Sequence, residues 1–147
     1  MSTFLVSRAT TEDLPQVEAL YRDCGYRGGA SAADIVLVAW EKERLVGAVR
    51  LCREEGVTML RGMMVLPERQ GRGIGKHLLQ ACAQQLDNMD AQCWCIPYAH
   101  LRDFYAGIGF QIVTLDQVPD GRLRERYQNY QSEGREVLLM VREAGSA

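Results

Sequence analysis

Met63-Met64-Val65-Leu66, closed by Pro67, runs into the polar loop Glu68-Arg69-Gln70-Gly71-Arg72-Gly73-Ile74-Gly75 and on into Lys76-His77-Leu78-Leu79-Gln80-Ala81-Cys82-Ala83-Gln84-Gln85-Leu86. The last segment contains neither glycine nor proline, and Leu78, Leu79, Cys82, Leu86 and Met89 recur at helical spacing as one apolar stripe. The unit reads strand, glycine loop, helix, with the helix spanning 75–89. The first turn of a helix leaves backbone N–H groups without intrahelical partners, and the macrodipole adds to their pull on anions. Glycine lets an anion approach bare backbone. Gln70-x-x-Gly73-x-Gly75 is therefore expected to cradle a phosphate or pyrophosphate.

The loop is not a nucleoside-triphosphate loop, because Gly75-Lys76 is followed by His77 and no hydroxyl is placed for magnesium. It also fails the three-glycine dinucleotide pattern, since Gly71-x-Gly73-x-Gly75 is one residue short in its last spacing. Instead the chain resembles the GNAT acyltransferases, whose signature Gln/Arg-x-x-Gly-x-Gly/Ala follows the fourth strand. Gln70, Gly73 and Gly75 match it, after the apolar run that ends at Pro67. A second landmark, Asp103-Phe104-Tyr105-Ala106-Gly107-Ile108-Gly109-Phe110, matches the family's Phe-Tyr-x-x-x-Gly-Phe ending.

The resemblance implies an acetyl-coenzyme A-dependent N-acetyltransferase that passes acetyl directly to a primary amine of a small molecule in a ternary complex. It implies that Met63 and Val65 pair with pantetheine, with a backbone amide polarising the thioester carbonyl. It assigns Gln70, Gly71, Arg72, Gly73, Ile74, Gly75 and Lys76 to the pyrophosphate, with Arg69 adding positive charge nearby. It makes Tyr105 the general acid for the departing sulfur, a role open to a phenol because it stays protonated at neutral pH. It also places Tyr26 and Arg27, in the irregular 25–33 segment, in the roof of the acceptor pocket.

Two departures from the family pattern change the expected chemistry. Arg61 stands where many relatives carry a glutamate base, and a guanidinium suits bidentate grip on an acceptor carboxylate. Tyr98 stands where relatives carry an asparagine that contacts pantetheine. His100, whose side-chain type titrates near neutrality, is a candidate base or water-orienting group. The alternatives are a non-catalytic acyl-coenzyme A-binding regulatory module, or transfer to a protein or peptide amine.

Composition sets the bounds. The 147 residues suit one domain. With 47% hydrophobic and 24% charged residues, an ordinary globular fold is expected. Seventeen basic against nineteen acidic side chains give a formal charge of −2, which argues against a nucleic-acid partner. No apolar run approaches the ~20 residues of a membrane span. The start, Met1 to Arg8, lacks a basic region followed by a long apolar core, so a cytoplasmic protein is expected. Cys24, Cys52, Cys82, Cys93 and Cys95 suit a reducing compartment; Cys82 and Cys52 read as buried small apolar residues, Cys93-x-Cys95 lacks zinc-ligand spacing, and no metal is expected.

Outward from the loop, Phe4-Leu5-Val6 reads as a first strand. A hydroxyl-capped helix from Thr10 buries Leu14, Val17, Leu20 and Tyr21. Three strands over 35–40, 45–52 and 57–66, joined by short turns, form an antiparallel meander. Strand, long helix and the strand 92–96 imply a parallel crossover between the fourth and fifth strands. A short helix over 100–106, a sixth strand over 110–115, a helix through Leu123, Tyr127 and Tyr130, a last strand over 137–141 and a tail over 144–147 complete the chain. The expected fold is α/β, a GNAT-like mixed, mostly antiparallel sheet of about seven strands with flanking helices. The exposed last strand and the Tyr127–Tyr130 segment are candidate surfaces for a homodimer.

Overall fold

The computed structural model describes residues 3–119 and 121–145. Asp120 and the last two residues of the expected tail lie outside the described residues. The chain forms two compact units, residues 1–52 with 60–84, and residues 53–59 with 85–147.

In the first unit, strand β1 (Leu5–Arg8) pairs antiparallel with β2 (Ile35–Glu41), setting Leu5 opposite Trp40 and Arg8 opposite Leu37. Between them Thr10 and Asp13 close a capping box, with Thr10 N donating to Asp13 Oδ2 at 2.9 Å, ahead of helix α1 (Leu14–Asp23). Val17, Leu20 and Tyr21 form its buried face, and the helix gives way at Gly25, whose φ of 71° favours glycine. Strand β3 (Arg44–Glu54) returns along β2, and the register slips between Ala39 and Trp40, leaving Val46 as the extra residue of a bulge. Both β2 and β3 are buried along most of their length, so they read as continuous apolar runs rather than alternating ones.

Strand β4 (Val57–Val65) follows the turn Glu55-Gly56 and lies beside β3. Both turn residues have positive φ, 52° and 78°, as a tight hairpin turn requires. Helix α2 (Ile74–Met89) buries Ile74, Leu78, Leu79, Cys82 and Leu86. It crosses β3 at Gly47, where a Cβ would come 3.1 Å from both Ile74 and Leu78. The expected stripe stops one turn early: Met89 is 39% exposed, because it is the last helical residue before the chain turns at Asp90.

In the second unit, β5 (Cys93–Cys95) runs parallel to β4 through Met59 and Trp94, as the strand-helix-strand order requires. Strand β7 (Met140–Arg142) pairs antiparallel with β5 on one side and with β6 (Gln111–Ile112) on the other. Helix α3 (Arg102–Ala106) follows a single turn over Ala99–Leu101, and helix α4 (Arg122–Ser132) precedes β7. Met59, Trp94, Val118, Leu123, Leu139 and Val141 make the core, with Tyr127 packed against it.

The sheet is mixed and seven-stranded, in the order β1-β2-β3-β4-β5-β7-β6, which is the expected GNAT-like α/β class. Three expectations need correction. The sixth strand ends at Ile112 rather than Leu115, because Thr114 caps a single turn over Leu115–Gln117. The last strand begins at Met140, with Val137 reduced to an isolated bridge to Tyr98. It is also no free edge: β7 is buried and paired on both sides, so it offers no dimer surface.

Candidate functional site

The glycine loop lies wholly in the first unit. β4 ends at Val65, Pro67–Arg69 make a single helical turn, and Gln70 folds back so that its Nε2 donates to the Val65 carbonyl at 3.2 Å. Gly71 and Gly73 then take φ of 81° and 84°, conformations that side chains resist, and α2 begins at Ile74. A Cβ at Gly71 would meet nothing within 4 Å, and one at Gly73 only His77 Nδ1, at 3.9 Å. The bare backbone therefore faces open ground before the N-terminus of a 16-residue helix, which fits a pyrophosphate. The Gly73 carbonyl can only accept, so His77 carries its proton on Nδ1 and donates across 2.8 Å. His77 is exposed, its ring edge-on to Phe4 at 5.0 Å.

The loop arginines divide. Arg72 is exposed, as is Lys76. Arg69 is tied down: its Nε lies 3.0 Å from both carboxylate oxygens of Glu41 and its terminal nitrogen 2.9 Å from one. That hydrogen bond holds the Glu41 carboxyl below its ordinary pKa. Arg69 therefore pairs with Glu41 rather than standing beside the loop as an unpaired cation.

Upstream of the loop, β4 is distorted at Gly62, whose φ is 67°. The Tyr21 hydroxyl donates to the Gly62 carbonyl at 2.9 Å, and burial raises the Tyr21 phenol well above its ordinary pKa, keeping the donor protonated. Arg61, next to this distortion, is half-buried, and its charge reaches the Cys52 thiol on neighbouring β3.

Sequence reasoning passed over Arg50. It is 4% exposed on β3, and its guanidinium donates to the Tyr26 hydroxyl at 2.7 Å, to Asp34 Oδ2 at 3.4 Å and to Cys52 Sγ at 3.6 Å. It also lies 5.6 Å and 5.8 Å from the ring centroids of Tyr21 and Tyr26, which meet edge-on at 4.7 Å. A lone charge within the otherwise uncharged run Leu45 to Cys52 is the signal that could have found it. Of the two residues expected in the roof, Tyr26 belongs to this cluster and Arg27 is exposed.

In the second unit, Tyr105 sits on α3, buried, with Phe104 and Phe110 edge-on at 5.0 Å and 6.0 Å. Gly109, at φ of 102°, lets the chain reverse so that Phe110 N donates to the Tyr105 carbonyl. His100 is exposed and stacked on Tyr98 at 6.0 Å.

The thiols of Cys24, Cys52, Cys82 and Cys95 are not activated. Burial pushes Cys52 up to about 11, Cys82 up to about 12 and Cys95 well above the thiol range. Cys24 is also raised, by burial and then by Asp23 and Glu68. Thiols held this way are poor nucleophiles at neutral pH. Among the described residues, no group of three or more His, Cys, Asp or Glu could hold a metal, and no helix is long and apolar enough to cross a membrane.

A family model described as "Acetyltransferase (GNAT) domain" matches residues 32–112. No curated protein matches the sequence. Among solved structures, the chain resembles N-acetylglutamate synthase from Neisseria gonorrhoeae complexed with coenzyme A and N-acetyl-glutamate. The TM-score is 0.72 at 20% identity, over 98% of this chain and 36% of that one, so the chain spans about a third of the synthase. It also resembles the ribosomal-protein-S18-alanine N-acetyltransferase from Escherichia coli, with a TM-score of 0.71 at 17% identity, over 99% of this chain and 96% of that one. A third likeness is to the PaiA N-acetyltransferase from Thermoplasma acidophilum in complex with coenzyme A, with a TM-score of 0.66 at 16% identity, over 96% and 99% of the two chains.

Proposed function

The chain belongs to the GNAT acetyltransferase family, and from that premise we propose that it transfers acetyl from acetyl-coenzyme A to the amine of a small, carboxylate-bearing acceptor. The observation that carries the reading is the loop itself: two glycines at left-handed φ opening directly into the N-terminus of α2. Val65, Gly71, Gly73 and the first turn of α2 supply backbone groups, and Arg72 and Lys76 supply charge to a pyrophosphate. Met63 and Val65 on β4 are the strand residues that align pantetheine.

When bound, acetyl-coenzyme A supplies an activated thioester carbonyl. The protein's own part is to hold that carbonyl against β4, to orient a neutral amine toward it, and to manage two protons. Tyr105 is the residue proposed to protonate the departing sulfur. His100 is the candidate for taking the proton released by the attacking nitrogen. Direct attack agrees with the raised thiols, none of which favours an acyl-cysteine relay.

Arg61 is the proposed grip for the acceptor carboxylate, from its half-buried place on β4 beside Gly62, with Tyr26 and Arg27 contributed by the 25–34 segment. The N-acetyl-glutamate complexed with the gonococcal synthase is a ligand of that protein, but it agrees with an acidic acceptor here. The test is Arg61→Ala assayed against amino-acid acceptors. KM for the acceptor should rise by about tenfold or more, with KM for acetyl-coenzyme A held within about twofold. An unchanged acceptor KM removes Arg61 from the reading. Turnover confined to peptides would instead favour a protein acceptor, the class named for the E. coli neighbour.

A further inference from the structure

The segment 25–34 carries no helix or strand, yet its two ends converge on one side chain. At its start, Tyr26 accepts a 2.7 Å hydrogen bond from one terminal nitrogen of Arg50. At its end, Asp34 receives the other terminal nitrogen at 3.4 Å, with the side chains of Arg50 and Asp34 only 5% and 13% exposed. In the middle, Ala30 N donates to Glu18 Oε1 at 2.8 Å, fastening the segment to α1. The fork also meets β4: Arg50 Nε makes no hydrogen bond among the described residues and lies against Gly62, where a Cβ would stand 3.0 Å from it.

We propose that Arg50 is a positioning residue that fixes the 25–34 segment over the acceptor side, one guanidinium holding both of its ends against β3. The acceptor part of this inference rests on the function proposed above; the tether does not. A planar guanidinium is required because it donates in two fixed directions at once, which an ammonium cannot reproduce. Arg50 does not touch the reacting atoms. It acts through Tyr26 and Asp34, by limiting the conformations that a segment without helix or strand can sample.

The experiment is hydrogen–deuterium exchange by mass spectrometry on the full chain, comparing Arg50→Lys, Tyr26→Phe and Asp34→Asn with the parent. Amides in 25–34 should exchange about tenfold faster in Arg50→Lys, and by a smaller factor in each variant that releases one end. Peptides from β2 and α2 should not change. Tyr26→Phe and Asp34→Asn keep the buried cation, so they remain informative if Arg50→Lys does not fold. Unchanged exchange in 25–34, or faster exchange spread evenly over β2 and α2, overturns the tether and leaves Arg50 a general stabiliser.

The same variants, assayed with whichever amine is acetylated, should raise acceptor KM by about tenfold while KM for acetyl-coenzyme A stays within about twofold. Faster exchange without that KM change overturns the positioning role. Because exchange needs no acceptor, failure to find a carboxylate-bearing substrate would sink the proposed function without touching the tether.

Discussion

Gly62→Ala tests whether the distortion of β4 is built into the fold. Alanine at φ of 67° must adopt left-handed backbone, which costs about 1–2 kcal/mol. Its Cβ would come 2.5 Å from the Tyr21 hydroxyl, which must move away, and 3.0 Å from Arg50 Nε, a tight contact that a small shift relieves. Tyr21 is 1% exposed and packed edge-on against Tyr26, so it must give up its 2.9 Å bond to the Gly62 carbonyl, worth about 1 kcal/mol. The expected loss is about 2–3 kcal/mol, and at this chain length a fall in Tm of about 4–12 °C. The control is Gly71→Ala, where φ is 81° but a Cβ meets nothing within 4 Å, so only the backbone cost of about 1–2 kcal/mol applies. Urea unfolding of the two variants and of Gly62→Ala in a Tyr21→Phe background supplies the comparison. Removing the hydroxyl first should shrink the Gly62→Ala penalty by about 1 kcal/mol. Equal penalties at Gly62 and Gly71, with full additivity toward Tyr21→Phe, would refute the reasoning.

Three further outcomes follow from the same geometry. Tyr105→Phe should lower kcat by about a hundredfold with both KM values within about twofold, and a change in Tm alone would reduce Tyr105 to a core aromatic. Cys95→Ala should keep kcat within about twofold, because its buried thiol is held far above the thiolate range; an acetylated cysteine on rapid quenching would contradict direct transfer. Glu41→Gln should be less stable than the parent at neutral pH. Since Arg69 lowers the folded-state pKa of Glu41, the pair's stabilisation is present above the ordinary carboxylate pKa of about 4.3 and is lost as pH falls through the lowered value. Urea midpoints of the two proteins should therefore converge in acid, and a gap that persists there would rule out the ion pair as its source.

Helix α2 and its loop are legible in the sequence because their determinants are local. The stripe from Leu78 to Leu86 is a matter of period, and left-handed turns at Gly71 and Gly73 are what glycine permits. Strand limits are less local. The sixth strand ends at Ile112 because Thr114 diverts the chain into a capped turn, and β7 begins only where it finds partners on both β5 and β6. Long-range polar pairs lie further out of reach. Arg69 looks like a loop cation until Glu41, 28 residues away, is brought beside it. Arg50 looks like a stray charge until Tyr26 and Asp34, 24 and 16 residues upstream, fold onto it.

The most direct test of acetyl transfer to a carboxylate-bearing acceptor is a mass-detected acetylation assay with acetyl-coenzyme A over amino acids, polyamines, aminoglycosides and short peptides. Mass detection keeps the protein's five cysteines from interfering, as they would with a thiol reagent for released coenzyme A. A carboxylate-bearing amino acid should gain one acetyl group at a rate that Arg61→Ala suppresses. Acetylation confined to amines without a carboxylate, or none at all, would contradict the proposal.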